Sequence, residues 1–151
     1  MAALTAPSCV GTRILNAGQA SIRPYWRNYY DNTDALIFVV DSFDETRMDE
    51  VKAELSMLLG EDKLTGVPLI VFANKQDQAG ALTAGEISVG LELEEISDRD
   101  WTIQGCSALE GEGLVEGMEW VVSHIKAKAE AKAAGGAVKP KPASAAGGGG
   151  L

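Results

Sequence analysis

The sequence has few of the residues that mark a secreted, disulfide-linked or metal-binding protein. Its 151 residues include one histidine and two cysteines, Cys9 and Cys106, whose spacing makes neither a disulfide pattern nor a metal pattern. No apolar stretch approaches the ~20 residues that a membrane span needs. The first ten residues show no basic segment followed by an apolar run, so no secretory signal is visible. A single domain in the cytoplasm is therefore expected.

Basic residues are also scarce over most of the chain. Residues 1–125 contain 8 Lys and Arg against 21 Asp and Glu, whereas residues 126–151 contain 5 Lys and 1 Glu. Nucleic-acid binding needs a basic surface, so the acidic body argues against it. The basic tail lacks the dense cluster that binding to anionic lipid requires, and we interpret it as a solubilising extension.

Short apolar runs alternate with helical patterns along the chain. This alternation predicts an α/β fold with a mainly parallel sheet and flanking helices. Strands are expected at residues 12–15, 35–41, 69–73 and 102–106. Helices are expected at 22–30, at 45–59 with Asp44 as cap and Gly60 as stop, and at 83–91, where Thr83 and Glu86 fit a capping box.

A last helical pattern precedes a change of composition. Five apolar residues recur at helical spacing and are interpreted as core: Leu114, Met118, Val121, Val122 and Ile125. The residues that follow are rich in Ala, Lys, Gly and Pro and cannot bury a core. The predicted organisation is a divergent segment at 1–17, a folded domain at 18–128 and a disordered tail at 129–151.

The most informative stretch is Asn74-Lys75-Gln76-Asp77, which follows an apolar run ending at Ala73. The Asp77 carboxylate can accept two hydrogen bonds from the N1-H and the 2-amine of guanine, and adenine has neither donor. A site built around such bonds rejects the analogue that lacks them. Lys75 can lay its aliphatic stem across the flat base, and the Asn74 amide can tie neighbouring loops together. The alternative for such a short motif is an ordinary polar loop after a strand.

A second loop supports the guanine interpretation. Ser107 and Ala108 follow the next strand, and their small side chains would let a backbone N-H approach the guanine O6. Together with other motifs, this loop makes the chain resemble an Arf-like small GTPase, and among these the branch that releases lipidated, often ciliary, cargo. The motifs that carry the resemblance are Ile22-Arg23-Pro24-Tyr25-Trp26-Arg27-Asn28-Tyr29-Tyr30, Asn32-Thr33-Asp34, Val40-Asp41-Ser42, Val67-Pro68, Phe72-Ala73-Asn74-Lys75-Gln76-Asp77, Asp98-Arg99, Cys106-Ser107-Ala108 and Gly111-Glu112-Gly113.

The resemblance implies a switch that binds GDP or GTP with Mg²⁺, hydrolyses GTP slowly and acts in vesicle or ciliary trafficking. Asn74, Lys75, Asp77, Ser107 and Ala108 would hold the base. Gly18 would supply a backbone N-H near the γ-phosphate, and Gln19, at the start of the second switch (residues 19–32), would orient the attacking water. Trp26 and Tyr29 would face effector, exchange-factor or GTPase-activator proteins, or else pack against the sheet. A cilium or membrane association would then come through partners.

Parts of the family pattern are absent from the sequence. No Gly-Lys dipeptide occurs, so the phosphate loop Gly-x-x-x-x-Gly-Lys-Ser/Thr, with its strand and helix, is missing, as is the first switch. The family's Trp-Asp-x-Gly-Gly-Gln reads Ile14-Leu15-Asn16-Ala17-Gly18-Gln19, which places Leu15 where a metal-site carboxylate is expected. No metal ligand is therefore predicted, and the chain is expected to be defective in phosphate binding, Mg²⁺ binding and hydrolysis. Met1-Ala2 also differs from the Met-Gly start that myristoylation needs.

Three hypotheses follow from this mixture of present and absent motifs. In the first, the chain is an Arf-like GTPase whose sequence here lacks its N-terminal third, as an incomplete gene model or a skipped exon would produce. In the second, it is a nucleotide-independent interaction module that uses the surface around Trp26 and Tyr29. In the third, it is a fragment without function.

Overall fold

A parallel sheet of three strands is the centre of the part of the chain that the structure describes. A computed structural model describes residues 30–31 and 33–133. The strands β1 (Leu36–Asp41), β2 (Leu69–Asn74) and β3 (Trp101–Gly105) lie in the order β1-β2-β3, and both pairings are parallel. The predicted α/β fold with a mainly parallel sheet is confirmed.

In the part of the chain that the structure describes, three α-helices connect and cover the strands. Helix α1 (Met48–Leu59) lies between β1 and β2, α2 (Ala84–Gly90) lies between β2 and β3, and α3 (Leu114–Ala133) follows β3. Parallel strands need such crossovers, because a short hairpin cannot bring the chain back to the start of the next strand. Short 3₁₀ turns at Glu45–Arg47, Asp62–Leu64 and Leu93–Glu95 complete the connections. None of the helices found in the described part of the chain has the length and apolar content to cross a membrane.

Successive side chains of each strand point to opposite faces of the sheet, so the core is divided between the two faces. One face packs against α1 and α2, and its buried residues include Phe38, Val71, Leu55 and Ile87. The opposite face packs against α3 through a smaller set that includes Ala35, Ile37, Ile70, Phe72 and Val121. Because both faces are covered, β2 is apolar almost from end to end, which is the usual pattern of a central parallel strand.

The two predicted helix starts have different outcomes. The capping box of α2 is confirmed: the Glu86 N-H donates to Thr83 Oγ1 at 3.2 Å and the Thr83 N-H donates to Glu86 Oε2 at 2.8 Å. The cap at Asp44 is wrong. A 3₁₀ turn occupies Glu45–Arg47, α1 begins only at Met48, and the Asp44 carboxylate accepts the Thr46 hydroxyl at 2.7 Å instead of a helix N-H.

Two further boundaries and the burial of one helix face differ from the sequence predictions. Strand β3 starts and ends one residue earlier than predicted, because Trp101 pairs with Leu69 and is buried. Helix α3 continues past the predicted domain boundary at 128 to Ala133, since its Ala, Lys and Glu residues are strong helix formers. The apolar stripe of α3 is only partly core: Val121 is 1% exposed, whereas Met118 and Val122 are 37% and 44% exposed. Residues 134–151 of the predicted tail lie outside the described residues.

A buried arginine joins the loops at the amino ends of β2 and β3. The Arg99 side chain is fully buried, and its guanidinium donates to the carbonyl oxygens of Leu64 at 2.9 Å and Leu59 at 3.2 Å. It also forms an ion pair with Asp98 at 2.8 Å. Arg99 thereby gives a donor to the Leu59 oxygen at the end of α1 and a second donor to the Leu64 oxygen, which also accepts the Val67 N-H at 3.2 Å.

Candidate nucleotide-binding site

The carboxyl ends of the three strands meet at one edge of the sheet. Asp41 at the end of β1 lies opposite Asn74 at the end of β2, and Ala73 lies opposite Gly105 at the end of β3. The loops that leave β2 and β3 therefore begin side by side. In open α/β sheets this edge is where ligands bind.

Asn74 links the two predicted base-binding loops. Its Oδ1 accepts the Ala108 N-H at 2.9 Å, across 34 residues of chain. The backbone supports the same contact, since the Gln76 N-H donates to the Cys106 oxygen at 3.1 Å. The sequence predicted this tying role for the Asn74 amide. The Ala108 N-H, however, is already engaged by Asn74, so guanine O6 would have to share or displace that bond.

Asp77 and Ser107 form the second link. The Ser107 hydroxyl donates to Asp77 Oδ1 at 2.8 Å and accepts the Glu110 N-H at 3.2 Å. Ser107 is 1% exposed, whereas Asp77 is exposed to solvent. The buried hydroxyl therefore fixes one carboxylate oxygen from inside the protein. Asp77 Oδ2 has no hydrogen-bond partner within residues 33–133.

The Ser107 loop closes tightly onto β3. The Gly111 N-H donates to the Ser107 oxygen at 2.8 Å, and the Ser107 N-H donates to the Glu112 oxygen at 3.0 Å. Gly113 has a positive φ of 73°, and a Cβ there would lie 2.1 Å from the Gly105 oxygen. Glycine is therefore required at this position, both for the left-handed backbone and for the close approach.

Lys75 is held by an acidic side chain that is outside the sequence motif. Its ammonium forms an ion pair with Asp41 Oδ2, and its backbone adopts a left-handed φ of 66°. Partial burial acts to raise the pKa of Asp41, but the hydrogen bonds from Lys75 and from the Phe43 N-H outweigh it and hold the pKa below its usual value. Asp41 is therefore ionised at neutral pH.

Gln76 is anchored by Ser42, the residue that directly follows β1. Its side-chain amide donates to Ser42 Oγ at 3.0 Å and to the Leu82 oxygen at 2.9 Å. Ser42 is fully buried. Sequence reasoning did not assign Asp41 or Ser42 to the site. The signal that could have found them is their position directly after a buried strand, next to the strand that carries Asn74.

The structure brings together five of the predicted site residues: Asn74, Lys75, Asp77, Ser107 and Ala108. The other predicted residues, Gly18, Gln19, Trp26 and Tyr29, lie outside the described residues. The geometry at the sheet edge can present the Asp77 carboxylate, with lone pairs left on both oxygens, to paired N-H donors. Such a carboxylate suits the Watson–Crick edge of guanine.

The residues that the structure describes do not fit a Mg²⁺ site. Magnesium takes hard oxygen ligands in a near-octahedral arrangement. Within residues 30–31 and 33–133, no three His, Cys, Asp or Glu side chains converge where they could hold a metal ion.

Comparison with known proteins adds an independent line of evidence. Residues 16–125 match the model of the ADP-ribosylation factor family. The chain is 62% identical over 109 residues to ADP-ribosylation factor-like protein 3 of Chlamydomonas reinhardtii, covering 72% of this chain and 62% of that protein. It is 54% identical to ADP-ribosylation factor-like protein 3 of Caenorhabditis elegans and to ADP-ribosylation factor-like protein 1 of Saccharomyces cerevisiae. Each of those matches also covers 72% of this chain, with 59% and 60% of the relative. The chain thus spans about three fifths of the length of these curated relatives.

Proposed function

Because the chain belongs to the ADP-ribosylation factor family, as an Arf-like small GTPase, we propose that its sheet edge recognises the base of a guanine nucleotide. The observation that carries the proposal is the pair of cross-loop bonds, from Ser107 to Asp77 and from Ala108 to Asn74. These bonds fix the two loops relative to each other before any ligand arrives. A preorganised pair of loops loses less entropy on binding than a flexible pair.

Base selectivity comes from Asp77 in this proposal. Ser107 uses one lone pair of Oδ1, which leaves capacity on Oδ1 and Oδ2 for the guanine N1-H and 2-amine. Each hydrogen bond to a charged group contributes about 1.5–3 kcal/mol. Two bonds at the lower end, which suits an exposed carboxylate, favour guanine over adenine by about 3 kcal/mol, or roughly 100-fold.

Phosphate binding and hydrolysis are proposed to be defective in the 151-residue chain. The sequence carries no Gly-x-x-x-x-Gly-Lys-Ser/Thr, the feature whose backbone amides and lysine surround the phosphates. Losing four charge-assisted hydrogen bonds at ~1.5 kcal/mol each lowers affinity by at least ~10⁴. Gln19 is proposed to orient an attacking water in a complete domain, but here it has no aligned γ-phosphate to serve.

The cellular role is proposed from the family. In a complete protein, guanine-nucleotide exchange would switch contacts with effector, exchange-factor and GTPase-activator proteins, and the second-switch residues Trp26 and Tyr29 would face them. We propose vesicle or ciliary trafficking as the process, with location in the cytoplasm and contact with membranes through partners.

The test compares two probes that share a ribose and one phosphate. Titrating the full 151-residue chain with GMP should shift backbone amide NMR signals around Asn74, Gln76 and Ala108, whereas AMP at the same concentration should leave them in place. Asp77→Asn keeps an acceptor for Ser107 but loses the second acceptor, so its GMP response should fall. Asp62→Asn, an exposed acid in a turn away from the sheet edge, is the matched control and should bind as the unaltered chain does.

Other outcomes would redirect the assignment. Equal shifts with GMP and AMP would refute guanine recognition. A cooperative melt without any GMP response would favour the nucleotide-independent interaction module, and the lack of a cooperative melt would favour a fragment without function. Micromolar or tighter binding of a fluorescently labelled GDP in the presence of Mg²⁺ would contradict the proposed defect in phosphate binding.

A further inference from the structure

The carboxyl end of β1 holds the loop that carries the predicted base contacts. Asp41 binds the Lys75 ammonium, and buried Ser42 accepts the Gln76 amide at 3.0 Å, each across 34 residues of chain. Neither residue belongs to the Asn-Lys-x-Asp motif. We propose that Asp41 is a positioning residue for guanine, acting through Lys75, whose stem it holds against the face of the base. The inference rests on the proposed function of this sheet edge.

The reason a lysine needs such a partner is entropic. A free lysine side chain carries about 2 kcal/mol of rotamer entropy, most of which is lost when its stem is pressed onto a flat base. Lys75 is 37% exposed and would sample many rotamers without a partner. The ion pair removes part of that freedom before the ligand arrives, so less remains to be lost on binding.

The backbone around Lys75 also helps to keep this residue at the sheet edge. Lys75 lies in the left-handed region, where non-glycine residues are uncommon and costly. The next residue is fixed by Ser42 and by the Leu82 oxygen. Asp41 at the end of β1 and Ser42 directly after it hold two successive loop residues, which keeps Lys75 at the sheet edge beside Asn74 and the loop of Asp77.

A double-mutant cycle tests this role. Asp41→Asn removes the charge, and Lys75→Met removes the ammonium while keeping an apolar stem. Because both partners are more than a third exposed, the ion pair has the modest strength of a surface pair. GMP binding, followed by NMR titration of the full chain, should therefore weaken by up to about fivefold in Asp41→Asn. In the Lys75→Met background, Asp41→Asn should have no further effect, since its action passes through the ammonium.

The controls separate positioning from general loss of structure. Asp41→Glu, which restores the charge, should recover part of the GMP affinity, and Asp62→Asn should leave it unchanged. Equal GMP affinity for Asp41→Asn and the unaltered chain would overturn the role. So would an equal loss from Asp41→Asn in the presence and absence of the Lys75 ammonium.

A second measurement needs no ligand and no change at Asp41. NMR titration of the Asp41 carboxyl should show that it protonates at a higher pH in Lys75→Met than in the unaltered chain. Identical titrations would show that the pair does not form and would overturn the inference. Absence of any GMP response in the unaltered chain would refute the proposed function and this role together, whereas GMP binding that ignores Asp41 would refute the role alone.

Discussion

Gly117 of α3 lies directly against Phe72 and Ile70 of the sheet, and its substitution by alanine tests the packing that supports the site. A Cβ at this position would lie 2.3 Å and 2.4 Å from two ring carbons of Phe72 and 3.0 Å from Ile70 Cδ1. Carbon atoms in contact are ordinarily about 3.5–4.0 Å apart. Helix or ring must therefore move by roughly 1.2 Å, although Phe72 is buried in the central strand that carries Asn74 at its end.

Two effects of opposite sign set the size of the change. Replacing glycine by alanine inside a helix stabilises it by up to about 1 kcal/mol. Overpacking a well-filled core costs typically 1–3 kcal/mol, and contacts at 2.3 Å with two ring atoms belong at the upper end. Gly117→Ala should therefore lower the free energy of unfolding by about 1–2 kcal/mol.

Urea unfolding followed by far-UV circular dichroism measures this change. The matched control is Gly85→Ala in α2, where the Cβ would meet nothing closer than Thr83 Oγ1 at 3.9 Å. That variant should be as stable as the unaltered chain or more stable by up to ~1 kcal/mol. If Gly117→Ala proves as stable as Gly85→Ala, the close approach of α3 is wrong. Adding Phe72→Leu to Gly117→Ala should give a favourable coupling, because the smaller side chain relieves the same clash.

Three further predictions concern the supporting structure. Arg99→Met should lower the free energy of unfolding by about 2 kcal/mol in urea titrations, because it removes the donor of the Leu59 oxygen and one of the two donors of the Leu64 oxygen. Cys106 is buried, and burial raises the pKa of its thiol to about 11. In a Cys9→Ser chain at pH 8, iodoacetamide should therefore react with it at least ~100-fold more slowly in the folded state than in urea. The hydrogen bond from Arg99 lowers the pKa of Asp98 against the opposing effect of burial. The stability that this hydrogen bond contributes is therefore fully present above the unfolded-state pKa of about 3.9. It is lost as the pH falls through the lower pKa of the folded state. Asp98→Asn should accordingly be less stable than the unaltered chain at pH 6 and should lose that difference in strong acid, as measured by urea midpoints at each pH.

The sequence predicted those parts of the fold and site that depend on local pattern and strand direction. The apolar runs before Asp41 and Asn74 predicted β1 and β2 because strands buried on both faces have no polar alternation. The contact between the Asn74 and Ala108 loops was also predictable. Parallel strands end at the same edge of the sheet, so motifs that follow neighbouring strands must meet.

Other features depend on pairings that no local pattern records. The ion pair of Lys75 with Asp41 joins residues 34 positions apart, and either side chain alone fits an ordinary solvated loop. The start of α1 was misplaced because Asp44 has the composition of a cap but bonds the Thr46 hydroxyl instead. The spacing of the stripe on α3 predicts core, yet Val121 alone of its residues is buried, and Met118 and Val122 are exposed.

In the proposed function, base recognition and phosphate recognition depend on different parts of the fold. The loops that would hold the base are anchored to β2 and β3 and braced by β1, and all three strands lie within the described residues. Two bonds from Asp77 at about 1.5–3 kcal/mol each give at most ~3–6 kcal/mol before the losses of translational and rotational freedom are subtracted. The resulting dissociation constant is on the order of millimolar or weaker. Such a chain could still choose guanine over adenine, because selectivity depends on the difference between two bases. It would nevertheless remain mostly empty at submillimolar nucleotide, since affinity depends on the phosphates as well.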